Sequence, residues 1–449
     1  MKKIMIVTVT AGEGHNSIAK AIKSLLEQNP NNKVKVIDLF KKYSPLLKQK
    51  VINEGYMAAC KYAMPIYNMF YRAFQKTDPE KRNKVAAQST ILKESAGLLQ
   101  DIYLFEPDVI ICTHFFGSII ISNLRKIYPI PAKTISIVTD YAVHPFWEAS
   151  IGIDKVISPT ELMYEDLIYK GFKPEQIITI GLPVKKEFSE YFSKSQAREE
   201  LGLAQNMFTV LLMFGGGGFG QNVKIFKKLL KVKRPLQIVV VNGKDTQSKK
   251  KIDSLLKAAK TKHKVFNYGF IDFVSKVMSA ADILVGKAGG ISVTESLNKG
   301  IPMLLPVNLA EQEKANMKFL VQSGAALNYS TKKPLQKTLT DLYDNNYKLE
   351  ELKQGALKVR KPNAIFEVGN LVETAENVVY TKAEPLNKTE ASQLVKQIKK
   401  MLANSDKQLE KLAIKKAEKS SRKMAKPPKA EKKIKAKKPK AEKKIKANK

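Results

Sequence analysis

Short apolar runs alternate with stretches of helical spacing along most of the chain. Lys3–Thr10 is rich in β-branched residues and stops at glycines. Ser17–Gln28 then sets Ile18, Ala21, Ile22, Leu25 and Leu26 at helical intervals. Lys33–Asp38, Val109–Cys112 and Thr134–Thr139 read as further strands with helical pattern between them. A second series starts at Met207–Phe214 and continues through Leu236–Val241, Lys264–Phe266, Ile283–Val285 and Met303–Leu305. Strands alternating with helices predict βαβ units and parallel sheets. Two such series predict an α/β protein of two lobes, with ligands at the carboxyl ends of the strands.

Breaks in the pattern predict the domain limits. It pauses at Gly181-Leu182-Pro183-Val184, and a charged segment runs on to about Ala204. The first domain is therefore expected over 1–184, the linker after it, and the second domain over 205–363. Between about Tyr43 and Asp101 lies a long helical segment with many aromatics, including Tyr56, Tyr62, Tyr67, Phe70, Tyr71 and Phe74, and with Lys61, Arg72 and Lys76 among them. It reads as an insertion after the second strand. After about Ala383 the chain becomes lysine-rich, and Lys429–Ala436 recurs eleven residues later as Lys440–Ala447. Low-complexity sequence of this kind does not build a core, so 383–449 is expected to be disordered alone.

Charge adds a partner class. The 449-residue chain carries a formal net charge of +36, and Lys411–Lys449 holds 18 Lys and Arg against 3 Glu. Such a surface implies polyanionic partners: anionic lipid, nucleic acid or phosphate-bearing substrates. No aromatic–basic RNA-binding pattern accompanies the tail, so nucleic acid is the less favoured of these. Cys60 and Cys112 are the two cysteines, too few and too distant for a disulfide framework or a metal site, and a reducing compartment fits. The apolar start of the chain breaks at Gly12-Glu13-Gly14-His15, which favours a first strand over a signal peptide. No apolar stretch approaches ~18 residues, so any membrane role is peripheral.

Three motifs carry candidate chemistry. The first, Gly12-Glu13-Gly14-His15-Asn16-Ser17, follows the first strand. Its glycines allow a tight turn, Asn16 or Ser17 could cap the next helix, and His15 offers a base near neutral pH. The second, Gly215–Gly220 with Phe219 inside it, exposes backbone amides suited to a diphosphate. It lacks the lysine and hydroxyl of a Walker A loop. The third runs Gly286-Lys287-Ala288-Gly289-Gly290, then Glu295, then Gly300-Ile301-Pro302 and finally Gln312, Glu313 and Asn316. A Gly-Gly turn opens a helix there, and Glu295 on that helix could accept two ribose hydroxyl bonds. No Asp-x-Asp pair occurs, so no metal-dependent donor site is visible. His114 reads as a satisfied core histidine and His263, in a Lys-rich turn, as a solvated one. Trp147 suits either a core or a site.

The order of these motifs resembles the donor-binding half of GT-B glycosyltransferases. From Met1 to about Tyr380 the chain resembles the monogalactosyldiacylglycerol synthase and processive diacylglycerol glucosyltransferase family. Gly12-Glu13-Gly14-His15 stands where that family has Gly-Gly-Gly-His, and Thr139-Asp140 with His144-Pro145-Phe146-Trp147 matches its Thr-Asp and His-Pro-x-Trp segment. Lys287-Ala288-Gly289-Gly290 departs from the usual Lys-Pro-Gly-Gly, and Ala310-Glu311 replaces a Pro-Gly.

The resemblance implies two Rossmann-like domains facing a central cleft, with a helix over 364–382 returning to the first domain. It implies inverting transfer of a hexose from UDP-glucose or UDP-galactose to diacylglycerol, with no cofactor and no metal, on the cytoplasmic face of the cell membrane. His15 would be the base and Asp140 its helper. Gly217, Gly218, Phe219, Gly220, Gly289 and Gly290 would hold the diphosphate. Glu295 would bind ribose, Gln312 and Glu313 would contact the sugar hydroxyls, and Asn316 would belong to the same UDP-sugar site. Gly14, His144, Pro145 and Trp147 would form the acceptor mouth. Tyr67, Phe70 and Tyr71 are expected either in a core or, with the basic surface and tail, against anionic lipid. The rival expectations are an N-acetylglucosaminyltransferase acting on a polyprenyl-linked acceptor, a UDP-sugar 2-epimerase, and a non-enzymatic binder of nucleic acid or membrane.

Overall fold

The computed structural model describes residues 1–10, 13–43, 91–126, 128–215, 220–258, 260–309 and 311–380. Tyr67, Phe70, Tyr71 and the lysine-rich tail lie outside the described residues.

Two six-stranded parallel sheets organise the chain. The first comprises β1 (Lys2–Thr8), β2 (Asn32–Asp38), β3 (Val109–Cys112), β4 (Lys133–Ile137), β5 (Lys155–Ile157) and β6 (Ile177–Ile178). Their order is β2-β1-β3-β4-β5-β6. The second comprises β7 (Thr209–Met213), β8 (Gln237–Val241), β9 (Lys264–Tyr268), β10 (Ile283–Gly286), β11 (Met303–Pro306) and β12 (Ala326–Tyr329), in the order β12-β11-β10-β7-β8-β9. This is the two-lobed α/β architecture expected. The strands β5, β6 and β12 are additions to the reading, too short or too mixed for periodicity to find.

Alternate residues of each inner strand feed opposite cores. Ile4 and Ile6 join one cluster while Met5 and Val7 join the other. In the second sheet Val210 and Leu212 face one layer, Leu211 and Met213 the opposite one. Burial on both faces explains the continuous apolar runs, since a parallel sheet is covered by helices on each side.

The first lobe carries α1 (Glu13–Leu26), α2 (Leu39–Tyr43), α3 (Ile91–Phe105), α4 (Phe115–Leu124) and α5 (Tyr164–Tyr169). The second carries α6 (Lys194–Glu200), α7 (Gln221–Leu229), α8 (Thr246–Ala258), α9 (Val274–Ala280), α10 (Gly290–Asn298), α11 (Glu311–Gln322), α12 (Leu335–Asp344) and α13 (Asn346–Val359). The last helix among the described residues, α14 (Ala364–Glu373), lies on the first lobe. Its Ile365, Val368 and Val372 share a core with Ile18 and Ile22 of α1. Among the described residues no helix is long and apolar enough to cross a membrane.

One buried ion pair anchors the second sheet. Arg198 and Asp282 are 4% and 6% exposed, and Nη2 donates to Asp282 Oδ2 at 2.9 Å. The guanidinium also reaches Ala280 O and Thr209 Oγ1, while Asp282 Oδ2 accepts the Thr209 amide at 2.7 Å. Removing one partner strands the other charge, so Asp282→Ala is expected to cost about 3–5 kcal/mol. Urea unfolding of the variant beside the wild type measures this.

Candidate functional site

Each sheet reverses its winding at one point. In the first, β1 has β2 on one side and β3 on the other; in the second, β7 stands between β10 and β8. Ligands of open α/β sheets bind beyond the carboxyl ends at such switch points. The first and third motifs follow β1 and β10, and the loop of the second follows β7.

At the first switch point α1 begins at Glu13, earlier than the Ser17 expected, so Gly14 and His15 lie in its first turn. Asn16 is drawn back to the strand end, donating to Thr10 Oγ1 at 2.9 Å. His15 Nδ1 lies 2.8 Å from the carbonyl oxygen of Thr113, beyond β3. A carbonyl only accepts, so Nδ1 carries the proton and Nε2 keeps its lone pair. Burial lowers the His15 pKa, while the Thr113 carbonyl and the Asp140 charge pull it back up. His15 is thereby held neutral and in the tautomer of a base.

The surroundings of His15 are aromatic. Its ring meets His114 edge-on with centroids 4.4 Å apart. His114 is buried, as expected, and caps α4 by accepting the Phe116 amide on Nδ1 at 3.1 Å. Phe115 packs edge-on against His144 at 4.6 Å and stacks on Phe146 at 5.2 Å. Burial pushes the His144 pKa down to about 3, so it stays neutral. Trp147 is 2% exposed and belongs to the core of the first lobe. Pro145 opens the short 3-10 turn between them. His144 and Trp147 thus extend an apolar wall toward His15.

At the second switch point Gly215 adopts a positive φ of 65°, and a Cβ there would lie 3.9 Å from Ser292 Oγ and 4.0 Å from Lys287 Cε. Gly289 caps α10, and a Cβ on it would meet nothing within 4 Å. Gly290 is different: a Cβ there would lie 1.9 Å from the Thr139 carbonyl oxygen. Of the two adjacent glycines, one faces open space and the other admits the opposite lobe. Gly220 caps α7 with φ +74°, but its amide donates to Asp245 Oδ2 at 2.9 Å. Gly217, Gly218 and Phe219 lie outside the described residues.

Glu295 projects from α10, and burial raises its carboxyl to about 8 against the opposing pull of Lys185. Glu313, on the first turn of α11, pairs with Lys287 Nζ at 2.7 Å. Gln312 shares that turn.

The two switch points face each other. A Cβ on Gly14 would come within 3.3 Å of Ile291 on α10. Asp140, beyond β4, accepts from Asn316 Nδ2 at 2.9 Å. Burial raises the Asp140 pKa; Asn316, His15 and Lys287 lower it, and Glu313 raises it further. Polar residues from both lobes therefore converge where the lobes meet. Two of them, Lys287 and Tyr141, were not singled out from the sequence for this place. Among the described residues no group of three or more His, Cys, Asp or Glu is placed to hold a metal ion. His263 departs from its expected exposure. It is 6% exposed and accepts the Leu236 amide on Nδ1 at 3.1 Å, its ring turned inward from flanking lysines.

Comparison with known proteins matches both lobes. The monogalactosyldiacylglycerol (MGDG) synthase family model covers residues 15–184, and the glycosyltransferase family 28 C-terminal domain covers 210–368. The processive diacylglycerol beta-glucosyltransferase of Bacillus licheniformis is 26% identical, over 85% of this chain and 97% of that one. The Bacillus pumilus protein of the same name is 28% identical over 79% and 90%. Arabidopsis thaliana monogalactosyldiacylglycerol synthase 2 is 27% identical over 82% and 79%. Among solved structures, Acinetobacter baumannii MurG superposes with a TM-score of 0.54 at 16% identity, covering 83% of this chain and 99% of that one. Staphylococcus aureus MnaA with UDP gives 0.52 at 13% identity over 83% and 96%. These structures share the fold. Residues 15–184 thus carry the monogalactosyldiacylglycerol synthase domain and residues 210–368 the glycosyltransferase family 28 C-terminal domain, on a GT-B fold whose relatives over most of the chain are diacylglycerol glycosyltransferases.

Proposed function

We propose that this chain transfers a hexose from UDP-glucose or UDP-galactose to the hydroxyl of diacylglycerol at a membrane surface, inverting the anomeric centre. The observation that carries the reading is His15, locked with Nε2 as a lone-pair acceptor and backed by an aromatic wall, opposite a glycine turn that opens a helix. The acceptor oxygen attacks the anomeric carbon, the bond from that carbon to the diphosphate oxygen breaks, and the hydroxyl proton passes to His15 Nε2. Asp140 stabilises the imidazolium that forms. Amides at the Gly289 turn and the N-terminal end of the α10 dipole take the charge growing on UDP, without a metal or other cofactor.

Glu295 binds ribose, and Gln312 and Glu313 read the sugar. Glu313 enters that role already oriented by Lys287. Diacylglycerol stays in the bilayer, so the enzyme docks there from the cytoplasm. The aromatic segment around Tyr67, Phe70 and Tyr71 and the lysines of the tail supply apolar and electrostatic contact with anionic lipid. Each lysine near such a surface contributes roughly 1 kcal/mol, so removing 411–449 is expected to weaken binding to anionic vesicles in a flotation assay.

Glu295 gives the donor site a pH signature. With its carboxyl raised to about 8, it is mostly protonated at neutral pH before nucleotide arrives. Ribose hydroxyls bond best to the ionised form, so nucleotide binding releases a proton. Affinity for UDP is expected to rise with pH by up to about tenfold per unit and to level off above about 8. Isothermal titration across this range, with Glu295→Gln as the pH-insensitive control, checks it.

The reading is tested with labelled UDP-glucose or UDP-galactose and vesicles containing diacylglycerol or a polyprenyl-phosphate acceptor. Labelled glycosyldiacylglycerol is expected. Label on the polyprenyl acceptor alone would overturn the assignment.

A further inference from the structure

Asn316 sits at the joint between the lobes. It is on α11 and 0% exposed. Its Oδ1 accepts the Tyr141 amide at 2.7 Å, and its Nδ2 donates to Asp140 Oδ1 and to the Ala288 carbonyl, both at 2.9 Å. Both donors of the side chain are therefore used within the protein. The resemblance places this residue in the UDP-sugar site, yet its amide protons are committed to the two lobes.

Tyr141 completes the joint. It comes from the first lobe but belongs to the core of the second, with Val293, Leu297 and Phe319. Its ring stacks on Phe319 with centroids 4.4 Å apart, and its hydroxyl lies 2.9 Å from Thr294 Oγ1 on α10. The carbonyl of Thr139, two residues earlier, occupies the space that a side chain at Gly290 would fill. Three successive residues of the first lobe are thus seated on α10 and α11, the helices that carry Glu295 and Glu313. Asp140 is the middle one.

We propose that Asn316 is a positioning residue for the reaction: with the Tyr141 anchor it lets the donor-binding lobe hold the Asp140 carboxylate at the His15 site. Donor binding on α10 and α11 and proton removal at His15 are then set by one joint. For its activity readout this rests on the hexosyl-transfer reading; the joint itself rests on the geometry. The groups facing Asp140 are His15 of α1, Lys287 beyond β10, and Glu313 and Asn316 of α11. Losing the Asn316 bond leaves the carboxylate less stabilised, so its protonation moves to higher pH and the acid limb of the kcat profile moves with it.

Asn316→Ala, Asn316→Asp and Tyr141→Phe test the proposal. For Asn316→Ala the expected result is a fall in kcat of about 100-fold, the scale of a misplaced catalytic group, with KM for UDP-hexose unchanged and the acid limb shifted upward. Hydrogen exchange at the Tyr141 amide should quicken in the same variant. Tyr141→Phe keeps the stacked ring and should show a smaller fall in kcat of the same kind. If Asn316→Ala fails to fold, Asn316→Asp, which keeps the acceptor for the Tyr141 amide but sets a charge against Asp140, is read by the same split.

A raised KM with unchanged kcat would overturn the proposal and make Asn316 a sugar contact. An unmoved acid limb beside a lowered kcat would also overturn it and leave a purely structural role. If the wild type transfers no hexose, the functional reading falls. Exchange at Tyr141 then decides the joint alone: faster exchange in Asn316→Ala supports it, and unchanged exchange sinks it.

Discussion

His15→Ala is expected to lower turnover by about 10²–10⁴-fold, the usual contribution of a positioned general base, while UDP still binds. The imidazole is tied to the Thr113 carbonyl through Nδ1 and stands on the first lobe, whereas the residues proposed to hold the nucleotide stand on the second. Removing it takes away the proton acceptor and leaves the donor cleft intact. Burial lowers the His15 pKa, so the ring is already neutral at neutral pH, and the wild-type rate should not rise steeply above pH 7. His15→Gln keeps a donor for Thr113 but offers no basic nitrogen, so it should be as slow as alanine. Steady-state kinetics with UDP titration of both variants makes the check. Near-normal turnover in either would remove His15 as the base.

The two neighbouring glycines should fail in opposite ways. Gly290→Ala places a methyl 1.9 Å from the Thr139 carbonyl oxygen. Backbone on backbone has no flexible end to yield, so the joint between the lobes must shift. A fall in kcat of about 100-fold is expected, with nucleotide affinity largely kept. Gly289→Ala meets nothing within 4 Å, so the free protein should accept it. Its methyl would stand in the space assigned to the diphosphate, and UDP affinity should drop. Titration with UDP and steady-state kinetics of both variants separate the two effects; the same defect in both would contradict the division of labour.

The sheets were legible because their inner strands are buried on both faces. Ile4 to Val7 and Val210 to Met213 alternate between two cores, so every position is apolar and the run stands out. Ile177–Ile178 and Lys155–Ile157 pair as strands but are too short for any period to show. The start of α1 was placed late because glycines read as turn residues, although Gly14 lies inside the helix. His263 misled through its neighbours: three flanking lysines suggested water, while the ring turned in to accept the Leu236 amide.

The candidate site was legible where chemistry is local. A glycine turn after a strand, a histidine on the next helix and a carboxylate further along α10 all declare themselves within a few residues. What was not legible depends on the approach of the lobes. Asn316 and Asp140 are 176 positions apart, and nothing in either neighbourhood signals that one holds the other. Tyr141 shows only as an aromatic in a polar loop after a strand. That it belongs to the opposite core is a fact of tertiary structure.

The most direct test of the central claim is the anomeric configuration of the product. UDP-hexose carrying an α-linked sugar, incubated with diacylglycerol vesicles and the full-length protein, should give a β-glycosyldiacylglycerol, read from the proton coupling at the anomeric carbon by NMR. That outcome is the one a single displacement at the anomeric carbon gives, the step for which His15 is proposed as proton acceptor. An α-linked glycolipid, or no glycolipid from either UDP-glucose or UDP-galactose, would contradict the account.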